Sequence, residues 1–181
     1  MQFAPLTTSR FVLRPLIAED VSDAYSRWFD DPAVAPHILA ARTAHDVSSL
    51  RSYVAERQGR EDVLFLGIFT SDHAVHVGNV KYEPVDSSQG TAVMGILVGD
   101  PAWRGKGVAE EVITASARWL QTHCGIREII LGVDKDHRAA IAAYEKIGFR
   151  VTPQARTPTS DEALSMLWRF DKPSAVTSGR Q

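Results

Sequence analysis

The sequence predicts a mixed α/β fold, on three observations. Short, mostly apolar runs such as "VLFLGIF" (63–69), "TAVMGILVG" (91–99) and "EIILGV" (128–133) fit buried strands better than helices. Strands followed by returning amphipathic helices fill the second half, at 108–124 and 138–147. The strands in the middle follow one another through short turns, as hairpins do. Together these give the order β-α-α-β-β-β-α-β-α-β-β.

Each element has its own signal. "RFVLRP" alternates Phe11 and Leu13 with Val12 and Arg14 until Pro15 stops a short edge strand. "AEDVSDAYSRWF" sets Val21, Ala24, Tyr25 and Trp28 at helical spacing behind the acidic starters Glu19 and Asp20, predicting one helix over 18–29. Thr43 with Asp46 resembles a capping box for a second helix that carries Val47, Leu50 and Val54 on one side. "TSDH" turns the chain after the strand at 63–69. In "VHVGNVKYE" the apolar phase slips across Gly78 and Asn79, which predicts a bulge.

"PVDSSQG" (84–90) reads as a loop before the strand at 91–99. The helix that follows puts Val108, Val112, Ala115 and Trp119 on one seam, with Ala109, Ile113, Ser116 and Leu120 beside it, and Gly125 closes it. "RAAIAAYEKI" groups Ala140, Ala143, Tyr144 and Ile147 before a strand start at "GFRV". "ALSMLWRF" alternates Leu164, Met166, Trp168 and Phe170 as a half-buried last strand.

At 181 residues and 44% hydrophobic, the chain is expected to form a single domain over residues 1–170, with residues 171–181 as a disordered tail. Lys plus Arg number 20 against 22 acids, a formal net charge of -2, so no overall basic field exists to hold nucleic acid. No stretch has the length of a membrane span, and the start carries Arg10 and Arg14 where a signal peptide needs an uninterrupted apolar core. The lone Cys124 forms no internal disulfide, and the expectation is a cytoplasmic protein without nucleic-acid or membrane partners.

The chemistry centres on "PAWRGKGVAEEV", a loop with two glycines at the mouth of a helix. The first N–H groups of a helix lack internal acceptors and its dipole leaves partial positive charge there, so such a loop is built for an anion. Arg104 and Lys106 bring side-chain charge; Gly105 and Gly107 remove side chains that would block close approach. A dinucleotide fingerprint would need glycine at position 110, which is Glu, and a Walker loop would need Ser or Thr after Lys106, which Gly107 occupies. What remains is Arg-x-x-Gly-x-Ala over residues 104 to 109.

"RGKGVA" after "MGILV", followed by "AAIAAYEKIGF", resembles the GNAT N-acetyltransferases, whose signature is Gln or Arg, two residues, Gly, one residue, then Gly or Ala. The opening "TTSRFVLRPLIAEDVSDAYSRWFDDPAV" looks like the branch of ribosomal-protein N-terminal acetyltransferases. The resemblance implies a mainly antiparallel central sheet flanked by helices and acetyl-CoA as co-substrate. It implies a pyrophosphate held by backbone amides of Arg104, Gly105, Lys106, Gly107, Val108 and Ala109, and a thioester channel lined by Leu97 and Val98. A strand N–H near Leu97 or Val98 then faces the oxyanion, and Tyr144 protonates the departing thiolate.

Two positions depart from the family pattern. Where many relatives carry Asn against the pantetheine this chain has His137, which still donates one hydrogen bond. Where many carry a strand Glu as general base it has Val93, leaving Glu83, Asp86 and His76 as candidates by proximity, or no base if solvent takes the amine proton. The acceptor is a primary amine, on a small molecule or a protein N-terminus, and a homodimer stays open. A CoA-binding member without turnover is the alternative. Metal binding is not expected, since His73 and His76 stand without a completing ligand cluster. Cys124 reads as a small apolar residue, Trp103 as a cover for the cofactor or the loop, and Asp30 and Asp31 as loop carboxylates able to attract an amine.

Overall fold

The structure, a computed structural model, describes residues 3–37, 46–73, 75–153 and 163–170. The expected tail at 171–181 and the Thr43 cap lie outside the described residues. One eight-stranded sheet runs through the molecule in the order β1-β2-β3-β4-β5-β6-β8-β7. Its strands are β1 (Leu6–Thr7), β2 (Phe11–Pro15), β3 (Leu64–Thr70), β4 (His76–Asp86), β5 (Thr91–Val98), β6 (Glu128–Asp134), β7 (Arg150–Val151) and β8 (Ala163–Arg169). Neighbours are antiparallel except β5 and β6, joined by the crossover helix α3 (Val108–Cys124) and therefore parallel. The mixed, mainly antiparallel sheet flanked by helices is as expected, with the two-residue β1 added at the edge; a strand that short carries no readable period.

Strand alternation divides the apolar residues between two faces. Phe11, Leu13, Leu66, Ile68, Val80, Tyr82 and Met94 point to one face and pack with Val108, Val112, Ile113, Ala117 and Leu120 of α3. Each of these larger side chains contributes about 1.5–3 kcal/mol on burial. A polar contact fixes the depth: the Tyr82 hydroxyl lies 2.8 Å from Ser116 Oγ, whose own proton goes to the Val112 carbonyl, so Tyr82 donates. The opposite face buries Leu16 and Leu97 with Val21, Tyr25, Trp28, Phe29, Val34, Leu50 and Val54 under the helices α1 (Asp23–Arg27) and α2 (Val47–Ala55).

The predicted helix over 18–29 is broken into a 3-10 turn at Ala18–Asp20, α1, and a second 3-10 turn at Trp28–Asp30. Local side-chain bonds compete with helix continuation here. Asp20 takes the Ile17 N–H and both terminal nitrogens of Arg14, while Ser22 caps α1 by accepting from the Tyr25 N–H. Ala24, assigned to the buried seam, is exposed. Helix α2 is capped by Asp46, which accepts from the N–H groups of Ser48 and Ser49.

The β4 bulge falls at Val77, one residue before the expected place: Ile68 pairs with Gly78 and Phe69 with His76, so Val77 is skipped. A side chain at position 78 would lie on the Leu97 carbonyl, which explains the glycine. The loop expected at 84–90 is instead strand as far as Asp86, because a second irregularity absorbs Glu83 and the N–H-less Pro84 before pairing resumes at Val85–Ala92.

The end of β5 is packed so tightly that a Cβ on Gly99 would fall inside the Trp28 ring. Gly99→Ala is expected to lower stability by about 1–3 kcal/mol in urea unfolding followed by tryptophan fluorescence. Unchanged stability would show that Trp28 does not rest on this backbone.

Candidate active site

Two strands that are parallel neighbours at one end come apart at the other. β5 and β6 pair at Thr91–Glu128, Ala92–Ile129 and Val93–Ile130 and no further. Beyond that point β5 stays with β4 as far as Val98, and β6 stays with β8 as far as Asp134. A wedge-shaped gap therefore opens between Met94–Val98 and Leu131–Asp134, and the chain leaving its wide end forms the glycine loop.

The direction of the peptide groups along the gap follows from alternation. The Gly99 N–H donates to the Val77 carbonyl on β4, so two residues earlier the Leu97 N–H also turns to β4. Val98 faces the other way, and its carbonyl accepts from Arg104 Nε at 3.0 Å on the gap side. Of the two expected oxyanion donors it is Val98 whose N–H opens into the gap. Their side chains also part company: Leu97 is buried among Tyr25 and Trp28, whereas Val98 is half-buried on the α3 face.

The loop itself is held by backbone conformation. Gly105 and Gly107 have φ of 70° and 73°, in the left-handed region that side chains disfavour, and Gly107 is the N-cap of α3 with no side-chain cap. The first α3 bond is Glu111 N–H to the Gly107 carbonyl. The N–H groups from Gly105 to Glu110 consequently have no well-formed acceptor among the described residues. Nothing lies within 4 Å of where a Gly105 Cβ would be, and only Arg10 Nη2, at 3.8 Å, approaches that of Gly107.

Two acids follow the loop, and each is turned aside. Glu111 gathers the Thr8 hydroxyl at 2.7 Å, the Arg10 N–H at 2.8 Å and Arg10 Nε at 2.7 Å. Burial pulls the Glu111 carboxyl up, but those bonds outweigh it and hold it below the ordinary carboxylate range. Glu110 pairs with Lys146 at 2.6 Å, which also ties α4 (Arg138–Ile147) to the start of α3.

The cations are distributed differently from the expectation. Arg104 points back from the loop: it donates to the Val98 and Gly99 carbonyls and pairs with Asp31 at 2.8 Å. Asp31 is thus engaged rather than open to an amine. Arg10, which sequence reasoning missed, takes the place at the loop, its Nη1 donating to the Lys106 carbonyl at 2.9 Å. The two are separated by 96 positions, and no local pattern announces such a contact. Lys106 is exposed, its ammonium 5.9 Å from the Trp103 ring, and Trp103 packs edge-on against Phe11 as a cover for the loop.

Tyr144 lies on α4 facing the α3 core, half-buried and near Phe149, and its hydroxyl makes no hydrogen bond among the described residues. Burial pushes the phenol up to about 12, so it keeps its proton at neutral pH. His137 is the α4 N-cap residue, at the end of the crossover from β6, and its side chain does not cap the helix.

Of the three base candidates Glu83 and Asp86 are committed elsewhere, whereas His76 keeps a buried Nδ1 with no hydrogen-bond partner among the described residues. Glu83 is bound by Arg57, Arg60 and Lys81; burial raises its carboxyl, and the hydrogen bonds from Lys81 and Arg57 pull it below the usual range. Asp86 accepts from Ser88 and Gln89 at the closed end of the β5–β6 pair. His76 donates Nε2–H to the Gly78 carbonyl, stacks on Phe69, and is held neutral by burial, which pushes it down to about 4. His73 sits at φ 58° in the preceding turn, and no set of three or more His, Cys, Asp or Glu among the described residues is placed to hold a metal ion. Cys124 is half-buried at the end of α3, and burial raises its thiol.

A model of the GNAT acetyltransferase domain matches residues 10–150. The chain belongs to the GNAT acetyltransferases. Among curated GNAT relatives, a mycothiol acetyltransferase of Corynebacterium efficiens is 38% identical over 90 residues, covering 50% of this chain and 28% of that protein. One of Nocardiopsis dassonvillei is 33% identical over 97 residues, covering 52% and 27%. This chain therefore matches little more than a quarter of the length of those relatives. Among solved structures, RimL, a ribosomal-protein α-N-acetyltransferase in complex with coenzyme A, superposes with a TM-score of 0.78 at 14% identity, covering 93% of this chain and 99% of that one. A GNAT acetyltransferase from Bacillus anthracis gives 0.74 at 17% identity, covering 92% and 98%. At such identities these likenesses speak for the fold. No helix among the described residues is long and apolar enough to cross a membrane.

The Glu111 hub has a definite pH signature. A carboxyl held below its ordinary value stabilises the fold above that value and loses the contribution as pH falls through its lowered one. Glu111→Gln is expected to cost about 1–2 kcal/mol at pH 7 by chemical unfolding. The difference from wild type should shrink as pH drops below the ordinary 4.5. A difference independent of pH would show that the charge of Glu111 is not what binds Arg10.

Proposed function

We propose that the protein transfers an acetyl group from acetyl-CoA to a primary amine, on a small molecule or on a protein N-terminus. The observation that carries this reading is the run of N–H groups from Gly105 to Glu110 that lack acceptors at the wide end of the β5–β6 gap. Such a nest suits a diphosphate through local dipoles, which is how a chain of net charge -2 accommodates a polyanion. Gly105, Lys106, Gly107, Val108 and Ala109 form the phosphate seat, with the Lys106 ammonium and the Arg10 guanidinium beside it; Arg104, whose N–H goes to the Pro101 carbonyl and whose side chain turns back to β5, is left out of it. Val98 flanks the channel for the thioester arm, while Leu97 is turned to β4 and the opposite face, and His137 stands at the N-terminal end of α4 toward the arm.

Bound acetyl-CoA supplies an activated carbonyl and a thiolate leaving group. The Val98 N–H, turned into the gap, is placed to receive the negative charge that develops on the carbonyl oxygen. Tyr144 donates its proton to the departing sulfur; a phenol raised to about 12 is always in the acid form at neutral pH. The strand position of the family Glu is Val93, and in this reading the acceptor amine delivers its proton to solvent. The likeness to mycothiol acetyltransferases favours a small-molecule acceptor, and the resemblance of the opening segment to the ribosomal-protein branch keeps a protein N-terminus within the reading. A CoA-binding member without turnover is a second reading, favoured by the engagement of Glu83 and Asp86 and by the burial that holds His76 neutral.

Thiol release from acetyl-CoA in the presence of a pool of amines and peptides separates the two. Turnover is expected, and Tyr144→Phe should lower it by about tenfold or more with acetyl-CoA affinity little changed. Binding without thiol release in the wild type would support the second reading, and an unchanged rate in the variant would remove Tyr144 from the mechanism.

A further inference from the structure

Arg104 opens the family signature, yet its guanidinium faces away from the phosphate seat. Its three nitrogens reach three acceptors: Nε donates to the Val98 carbonyl at 3.0 Å, Nη2 to the Gly99 carbonyl at 2.5 Å, and Nη1 pairs with Asp31 Oδ2 at 2.8 Å. The other ends of the same two peptide groups are also bound, because the N–H groups of Gly99 and Asp100 both donate to the Val77 carbonyl, at 3.0 and 3.1 Å. Two successive peptide planes at the end of β5 are thus gripped between β4 and one planar side chain. A planar five-donor fork is suited to this, and a lysine would not reproduce it.

Asp31 is braced in its turn. Its Oδ1 accepts the Ala33 N–H at 2.8 Å, and three residues earlier Trp28 lies against Gly99, so the segment after α1 touches the end of β5 at two points. Both members of the pair are half-buried, at 25% and 27% side-chain exposure, which gives the contact more weight than a fully solvated one.

We infer that Arg104, braced by Asp31, is a positioning residue: by fixing the two peptide planes that follow Val98 it sets the torsion at Val98, and with it the direction in which the Val98 N–H, in the preceding plane, meets the thioester carbonyl. The inference rests on the acetyl-CoA reading above. Asp31 belongs to the α1–α2 side of the sheet, where its carboxylate bonds Arg104 and the Ala33 N–H and, among the described residues, none of Gly105–Ala109, so its effect on the cofactor passes through Arg104.

The test compares acetyl-CoA with S-ethyl-CoA, a thioether of the same size that lacks the carbonyl oxygen, by calorimetry on the full chain. Wild type should bind acetyl-CoA roughly fivefold more tightly, the worth of one added hydrogen bond. Arg104→Gln, whose amide cannot fork across both carbonyls, and Asp31→Asn, which is isosteric and retains an oxygen for Ala33, should each bring the ratio close to one. Their affinity for S-ethyl-CoA should stay near the wild-type value. Variants that keep the wild-type ratio overturn the inference, and so do variants that weaken both ligands in parallel, since that is what a general structural role would give. A wild type that binds both ligands equally removes the Val98 contact. A wild type that binds neither overturns the cofactor reading itself, and the positioning role with it.

Discussion

A helix N-terminus is ordinarily closed by the oxygen of a Ser, Thr, Asp or Asn side chain, and α3 begins on a left-handed glycine that has none. The open amides that result are the constraint around which the rest of the molecule is arranged. They cost stability unless something accepts from them, and an anion is what their geometry and the helix dipole favour. The seat is kept clear by removing its natural competitors: Glu110 is drawn off by Lys146 on α4, and Glu111 by Arg10 and Thr8 near β2. The two ion pairs that flank the loop therefore keep both carboxylates off the proposed anion site while fastening the sheet edge and the last helix to it.

The same crossover produces the gap. Because α3 returns the chain to lie parallel beside β5, and β6 takes β8 as its other neighbour, the pairing of β5 with β6 stops after three residues. The Val98 N–H opens there, Arg104 closes over the strand end from the gap side, and α4 carries Tyr144, whose hydroxyl has no hydrogen bond among the described residues, on the α3 face. In the proposed reading, seat, gap and acid follow one another from loop to sheet to helix. Two well-packed faces support that path, so the loop is a rigid exit from a strand rather than a loose connection.

Much of this was legible in the chain. Glycines at 105, 107 and 125 announce left-handed positions at the two ends of an amphipathic helix, and the strand runs around it have unambiguous lengths. What was not legible depended on distant partners or on local competition. Arg10 and Glu111 meet across 101 positions, and the reversal of Arg104 is decided by carbonyls that only the fold brings within reach. The helix predicted over 18–29 fails because Asp20 and Ser22 make better bonds to nearby N–H groups and to Arg14 than a continuous helix would allow. Pro84 reads as a strand terminator, yet a bulge opposite Val93 lets β4 run on to Asp86.

The central claim is that the amides from Gly105 to Glu110 accept an anion, and amide NMR reads them one by one. Titrating acetyl-CoA into the nitrogen-15 labelled protein should move the proton resonances of these residues downfield together, saturating at a single affinity shared with the Val98 amide. Shifts that leave the loop amides in place, with changes confined to other surfaces, would contradict the account.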